Sequence, residues 1–202
     1  MVRQRVALIT PPSVFLLDER VFVNLGILRV AAVLEQAGWD VDHVDLSGVE
    51  NYVEALEGYL WRSEADAIGL TSTTPQLPAV ATIARTIRRV RPELRIILGG
   101  PHVTLTWSAV KLERKRSHAS RAHRAWRDLE RLVDVLVAGD GERAVFEALR
   151  PEPPAIVDAD EVGSGLFMSS ADYDATPFPA RHLADLASYR YDIEGHSSRS
   201  EE

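Results

Sequence analysis

Hydrophobic positions along the chain fall into two alternating patterns. Five short apolar runs rich in Val, Ile and Leu, at Arg5 to Thr10, Asp40 to Asp45, Asp66 to Thr71, Arg95 to Leu98 and Val133 to Ala138, read as strands whose centres suit burial on both faces. Between them, segments of helical period run from Leu25 to Ala37, Asn51 to Ser63, Gln76 to Arg91 and Ser108 to Leu132, and a last one from Glu142 to Leu149. Strand and helix in alternation predict βα units, hence a three-layer α/β domain around a five-stranded parallel sheet over residues 1–150. Stop signals agree with this. Gly38 stands where a helix-terminating glycine belongs, and Pro92 follows a cationic last turn of Arg88, Arg89 and Arg91. After Arg150 the pattern lapses into Pro151, Pro153, Pro154, Gly163, Gly165, Pro177 and Pro179, with three arginines against eleven acids over 152–202. That stretch, 151–202, reads as an irregular acidic connector rather than a second core.

Composition sharpens the picture in three places. A chain of 202 residues, 46% hydrophobic and 26% charged, buries roughly two-thirds of its unfolded surface as one domain and needs no disulfide or metal for its core. The absence of cysteine excludes thiolate zinc sites, catalytic thiols and a cysteine-held iron–sulfur cluster within this sequence. A net charge of -7 argues against nucleic acid as a partner. No window reaches the roughly 18 apolar residues of a membrane span, and the N-terminal run, broken by Pro11 and Pro12, is too short for a signal segment. The expectation is a cytoplasmic protein without membrane contact.

In a doubly wound sheet, ligands sit outside the carboxyl ends of the strands, so the loops that follow the strands hold the candidate chemistry. They are small, hydroxylic or glycine-rich. Gly99 and Gly100 allow close backbone approach to a ligand, though a tight turn would want the same residues. Ser72, Thr73 and Thr74 offer three adjacent hydroxyls before Pro75; one suits a helix cap, and three exceed what a cap requires. Gly139-Asp140-Gly141-Glu142-Arg143-Ala144 matches a G-x-G-x-x-A dinucleotide fingerprint, with Asp158 and Asp160 nearly twenty residues on. That fingerprint belongs in the first strand-to-helix turn, however, and here it stands in the last. His118 and His123 lie five apart in the basic stretch 111–131, an offset that splays them around a helix; the stretch reads as a solvated face or a docking surface. His43 lies within a strand, and only His102 stands at a strand's carboxyl end. No G-x-S-x-G elbow and no G-x-x-x-x-G-K-[ST] loop occurs.

Taken in order, the loops resemble one family. Thr10-Pro11-Pro12, Asn24-Leu25-Gly26-Ile27-Leu28, Leu34 to Val41, Gly69-Leu70-Thr71-Ser72-Thr73-Thr74-Pro75, Leu98-Gly99-Gly100-Pro101-His102-Val103-Thr104 and Val137-Ala138-Gly139-Asp140-Gly141-Glu142 look like the cobalamin-binding N-terminal domain of cobalamin-dependent radical SAM enzymes. The match covers about residues 5–150. Pro177-Phe178-Pro179-Ala180-Arg181, with Leu186 and Tyr189, resembles the bridge that such enzymes place before their barrel.

The resemblance implies a flavodoxin-like, Rossmann-like sheet that holds cobalamin across its carboxyl edge with the nucleotide tail reaching down between the loops. The residues it carries over as cofactor-binding are Ser72, Thr73, Thr74, Gly99, Gly100, Pro101, His102, Val103, Gly139, Asp140, Gly141 and Glu142. The D-x-H-x-x-G motif that supplies a lower-ligand histidine in other cobalamin carriers is missing, so the cofactor is expected base-off, without a protein ligand from that motif. The family's cluster-binding C-x-x-x-C-x-x-C triad is missing too, which leaves the chain no radical SAM enzyme by itself. Two expectations remain: a fragment or truncated reading frame, or half of a split enzyme whose radical SAM barrel is a separate catalytic chain and whose chemistry is methyl transfer. Two alternatives stay open, a nucleotide- or dinucleotide-binding protein using Gly139 to Ala144, and a cofactor-free interaction module.

Overall fold

A computed structural model describes residues 4–13, 15, 19–116 and 121–189, and the backbone alone of 192–193 and 196–197. The apolar runs form the strands they predict: β1 (Arg5–Thr10), β2 (Asp40–Asp45), β3 (Ala67–Thr71), β4 (Arg95–Gly99) and β5 (Val135–Ala138). A sixth, β6 (Ile156–Asp158), completes a sheet of order β2-β1-β3-β4-β5-β6 that is parallel throughout. The helices are α1 (Leu25–Gln36), α2 (Tyr52–Leu60), α3 (Leu77–Val90), α4 (Pro101–Lys115), α5 (Arg121–Glu130), α6 (Gly141–Ala148) and α7 (Ser170–Ala175). Strand order reverses at β1, which puts a crevice between the loops that follow β1 and β3.

Alternation along the strands divides the core in two. Ile9, Ile68, Leu70, Ile96 and Leu98 face α2 to α5, whereas Val6, Leu8, Ile97, Val135 and Val137 face α1 and α6. Three layers result, as the apolar pattern predicts.

Two expectations are corrected. The sheet has six strands rather than five, because the segment read as a connector returns to the edge: Val157 pairs with Val137, and Ala159 N–H continues the ladder to Ala138 C=O at 2.8 Å. Three apolar residues between Pro154 and Asp158, Ala155, Ile156 and Val157, were too few to read as a strand, and pairing to β5 is what stabilises them. The same segment packs Ala180 against α1, its N–H donating to Leu28 C=O at 2.9 Å, and hydrogen-bonds the Tyr189 hydroxyl to Asp45. The helix expected over Ser108 to Leu132 is two helices. Pro101 opens α4 directly after Gly100, and α5 folds back so that Trp126 packs on Trp107 with ring centroids 4.6 Å apart. His118 lies outside the described residues, as does the side chain of His196. Among the described residues no helix is long and apolar enough to cross a membrane.

Candidate functional site

A cavity of about 740 Å3 opens at the carboxyl edge of the sheet, on the side of α1 and α6. Its floor is Val6 and Leu8 of β1, Gly69 of β3, Ile97 of β4 and Val137 of β5; Ile27 and Val30 of α1 and Val145 of α6 close it from above. The room depends on Gly69. A Cβ there would stand 2.6 Å from Leu8 Cδ2, inside van der Waals contact, so a side chain at 69 and the present Leu8 cannot coexist. A glycine within an apolar strand signals such close approach, and this one was legible in the sequence but not singled out.

The rim is built from strand ends and helix N-termini. Thr71 ends β3 and Thr73 follows it; Gly99, Gly100 and Pro101 join β4 to α4; Gly139, Asp140 and Gly141 join β5 to α6. Thr104 ties the two glycine turns, accepting from Gly139 N–H at 2.9 Å and donating to Gly100 C=O at 3.3 Å. Gly139 has φ +88°, and a Cβ there would meet Asp160 N at 2.5 Å, so only glycine lets the β5 turn pass under the end of β6. The remaining wall is Ala159, Asp160 and Phe167, from the stretch beyond residue 150. The sequence marked Asp160 only as the acid expected beyond a dinucleotide turn, and Ala159 and Phe167 not at all, because their place follows from β5–β6 pairing.

Eight of the twelve sequence candidates line the cavity: Thr73, Gly99, Gly100, Pro101, Gly139, Asp140, Gly141 and Glu142. Of the other four, Ser72, Thr74 and His102 join the β3 and β4 loops, and Val103 lies in the core. Ser72 is fully buried, with its hydroxyl on Thr73 C=O at 2.8 Å and its N–H on Gly99 C=O at 3.1 Å. His102 N–H donates to Ser72 C=O at 2.9 Å, its Nδ1 lies 3.0 Å from Thr74 Oγ1, and Val103 is fully buried in the core on the α2 to α5 side. Gln76 completes the cross-link, since its Oε1 accepts from Thr73 N–H at 3.0 Å and its Nε2 donates to Pro11 C=O at 2.7 Å.

Among the described residues no histidine is presented to the cavity. His102 Nε2 is buried, and burial holds the imidazole below its ordinary pKa, so it is neutral near pH 7. His43 packs in β2 with Nε2 at 3.0 Å from Thr10 Oγ1. Among the described residues no group of three or more His, Asp or Glu could hold a metal ion. The basic stretch is partly structural: Lys111 pairs with Asp158 at 3.0 Å, His123 with Glu113 at 2.7 Å, and Arg114 lies over the Trp107 ring. Arg121, Arg124 and Arg127 remain exposed on α5.

The electrostatics of the lining are one-sided. Among the described residues Asp140, Glu142 and Asp160 are its titratable groups, and no lysine, arginine or histidine lines it. Glu142 is only 7% exposed and is held by Arg29, whose Nε lies 3.1 Å away; the same guanidinium donates to Thr176 Oγ1 at 2.6 Å and covers the Tyr173 ring. Burial, then hydrogen bonding to Asp140, pushes the Tyr173 phenol up to about 12. With Asp140 at the N-cap of α6 and Glu142 in its first turn, the positive end of the helix dipole is already compensated. A dinucleotide diphosphate would meet carboxylates where the G-x-G-x-x-A reading needs free amides and a cation. An uncharged ligand rich in carboxamides would find acceptors instead.

The residues present therefore fit a large, amide-bearing cofactor with a slim apolar end: a glycine-cradled slot, an apolar floor and a hydrogen-bonding rim. These features define a cofactor-binding α/β domain at a sheet switch point. The sequence model of the B12 binding domain matches residues 19–116. No curated protein matches the chain. The radical S-adenosylmethionine methyltransferase TsrM from Kitasatospora setae, solved with tryptophan substrate and a SAM analogue, matches at 17% identity and TM-score 0.51 over 70% of this chain and 24% of that one. The same enzyme solved with cobalamin and a [4Fe-4S] cluster gives 17% and 0.50 over 71% and 23%. A cobalamin-binding protein from Desulfitobacterium hafniense DCB-2 gives 18% and 0.39 over 65% and 59%, too slight a likeness to bear on the site. At these identities the likeness to TsrM is one of fold, and the chain spans about a quarter of that enzyme's length.

Proposed function

We propose that the protein binds cobalamin base-off across the carboxyl edge of its sheet and serves as the cofactor platform of a cobalamin-dependent radical SAM system. The observation that carries this reading is the cavity itself, because its glycine-cradled apolar floor suits a nucleotide tail and a whole corrinoid has to rest on the rim above. Thr73, Gly99, Gly100 and Pro101 would bound the tail on one side, and Gly139, Asp140, Gly141 and Glu142 on the other. When bound, cobalamin supplies a cobalt centre able to carry a methyl group. The chain's own residues orient the cofactor, exclude water from the tail and offer Asp140 and Glu142 as acceptors for carboxamide N–H groups. Base-off binding follows from seating the tail in the cavity, away from the corrin ring, and neither His43 nor His102 presents a ring nitrogen to the cavity that would take the place of the base.

The chain has no cysteine, so a radical SAM cluster must come from elsewhere. A cluster-bearing barrel, whether on a further part of the same polypeptide or on a separate catalytic chain, is the partner this reading calls for, with methyl transfer as the reaction of the assembled system. To test the platform, the protein is mixed with hydroxocobalamin and desalted, and the visible spectrum of the protein fraction is recorded. Retained corrinoid with a base-off spectrum is the expected result. A colourless fraction from protein that circular dichroism shows to be folded would sink it.

A further inference from the structure

The geometry points to a lower-base preference built into the cavity floor: a corrinoid whose tail ends in an apolar benzimidazole is favoured over one whose tail ends in adenine. The inference rests on the reading that the cavity takes the tail of cobalamin. A space of about 740 Å3 is too small for an entire corrinoid and of the right scale for a base with its sugar.

The floor offers no hydrogen-bonding group. Val6, Leu8, Ile97 and Val137 flank Gly69, and Val145 faces them from α6. The backbone beneath is engaged as well, because β1, β3 and β4 are interior strands. Leu8 is in register with His43 on one side and Gly69 on the other, and Gly69 in turn with Ile97, so the peptide groups are paired in the ladders. Polar lining groups belong to higher ground: Thr71 at the end of β3, Asn24 at the cap of α1, Thr104 in the first turn of α4 and the acids beside α6.

The methylated edge of a benzimidazole gains from such a floor and forfeits no hydrogen bond on leaving water. Adenine differs in the one respect that matters here. Its exocyclic amine and ring nitrogens would be desolvated with no partner, and an unmet buried polar group weakens binding about tenfold to a hundredfold.

The test is an equilibrium titration of the whole protein, read by the visible spectrum, with cobalamin, with its adenine-bearing analogue and with cobinamide, which lacks the nucleotide tail. The expected order has cobalamin tightest, the adenine form about tenfold to a hundredfold weaker, and cobinamide also weaker than cobalamin. Val137→Thr keeps the shape of the floor and adds a hydroxyl, and it should narrow the ratio between the two bases; Val6→Thr is the second variant should the first fail to fold. Equal affinity for cobalamin and the adenine form overturns the inference and leaves cobalamin binding standing. Cobinamide binding as tightly as cobalamin overturns it by taking the tail out of the cavity. Failure of all three corrinoids to bind folded protein overturns both the inference and the reading beneath it.

Discussion

Substituting Gly69 by Ala separates the stability of the fold from the capacity of the site. The new methyl would stand 2.6 Å from Leu8 Cδ2, whereas carbon atoms prefer about 3.5 to 4.0 Å, so Leu8 has to move by roughly 1 Å. Nothing else resists. The backbone at 69 lies in ordinary strand geometry, and the obstacle is the end of a flexible side chain that borders open cavity. Overpacking should therefore cost the fold about 1 kcal/mol, the low end of its range. The cavity loses more. The added methyl and the displaced Leu8 both intrude on the floor, and denying a base that much contact should weaken binding by about 1 to 2 kcal/mol, or roughly five- to thirtyfold in Kd. Urea unfolding measures the first quantity, and titration with hydroxocobalamin and cobinamide the second. The expected pattern is a midpoint close to that of the parent protein, a weakened Kd for cobalamin and an unchanged Kd for cobinamide. A folded Gly69→Ala protein that binds cobalamin within about twofold of the parent would show that the floor is not occupied, and the argument from cavity shape would fail.

Three further outcomes follow from the same contacts. Gly139→Ala forces a side chain into φ +88° and against the backbone of Asp160, so urea unfolding should show a loss of at least about 1 to 2 kcal/mol, and a change under about 0.5 kcal/mol would refute the close approach of β6. Asp158→Ala removes the acceptor of Trp107 Nε1 at 2.6 Å and the partner of Lys111 at 3.0 Å; the expected loss is about 1.5 to 3 kcal/mol, with a red shift in tryptophan emission as Trp107 meets water. Burial lowers the pKa of His43, against a raising influence from Asp45, and burial also lowers that of His102. The unfolded chain then takes up protons first on acidification, so stability should fall as pH drops below about 6.5, and His43→Gln with His102→Gln should flatten that slope in urea titrations at pH 7.5 and 5.5.

Much of this protein is legible in one dimension. β1 and β2 have the predicted ends, and the other predicted strands lie within one or two residues of theirs, because apolar runs buried on both faces leave a local signature that context seldom overrides. The α4–α5 region was misread, since a solvated basic stretch keeps helical composition across a break that only the packing of Trp126 on Trp107 reveals. The site was partly legible. Glycine turns at strand ends announce close approach wherever they occur, and the Gly99 and Gly139 turns line the cavity. Ser72, Thr74 and His102 carry the same small or polar character, yet they serve as the cross-link between two loops, while Val103 packs in the core, and composition cannot separate these duties.

By itself the sequence determined the first five strands, their alternation with helices, the parallel sheet and the edge at which a ligand must sit, all of which follow from periodicity and turn chemistry within about a dozen residues. Tertiary structure alone decided which residues share a cavity. Leu8 meets Gly69 because β1 and β3 lie side by side in one register, and Asp160 closes over Gly139 because a three-residue apolar run finds the edge of β5. Arg29 binds Glu142 and Thr176 because α1, α6 and α7 converge at one end of the sheet. Each of these is a contact between residues about 20 to 150 positions apart, and such contacts are set by the packing of whole layers, which no local pattern encodes.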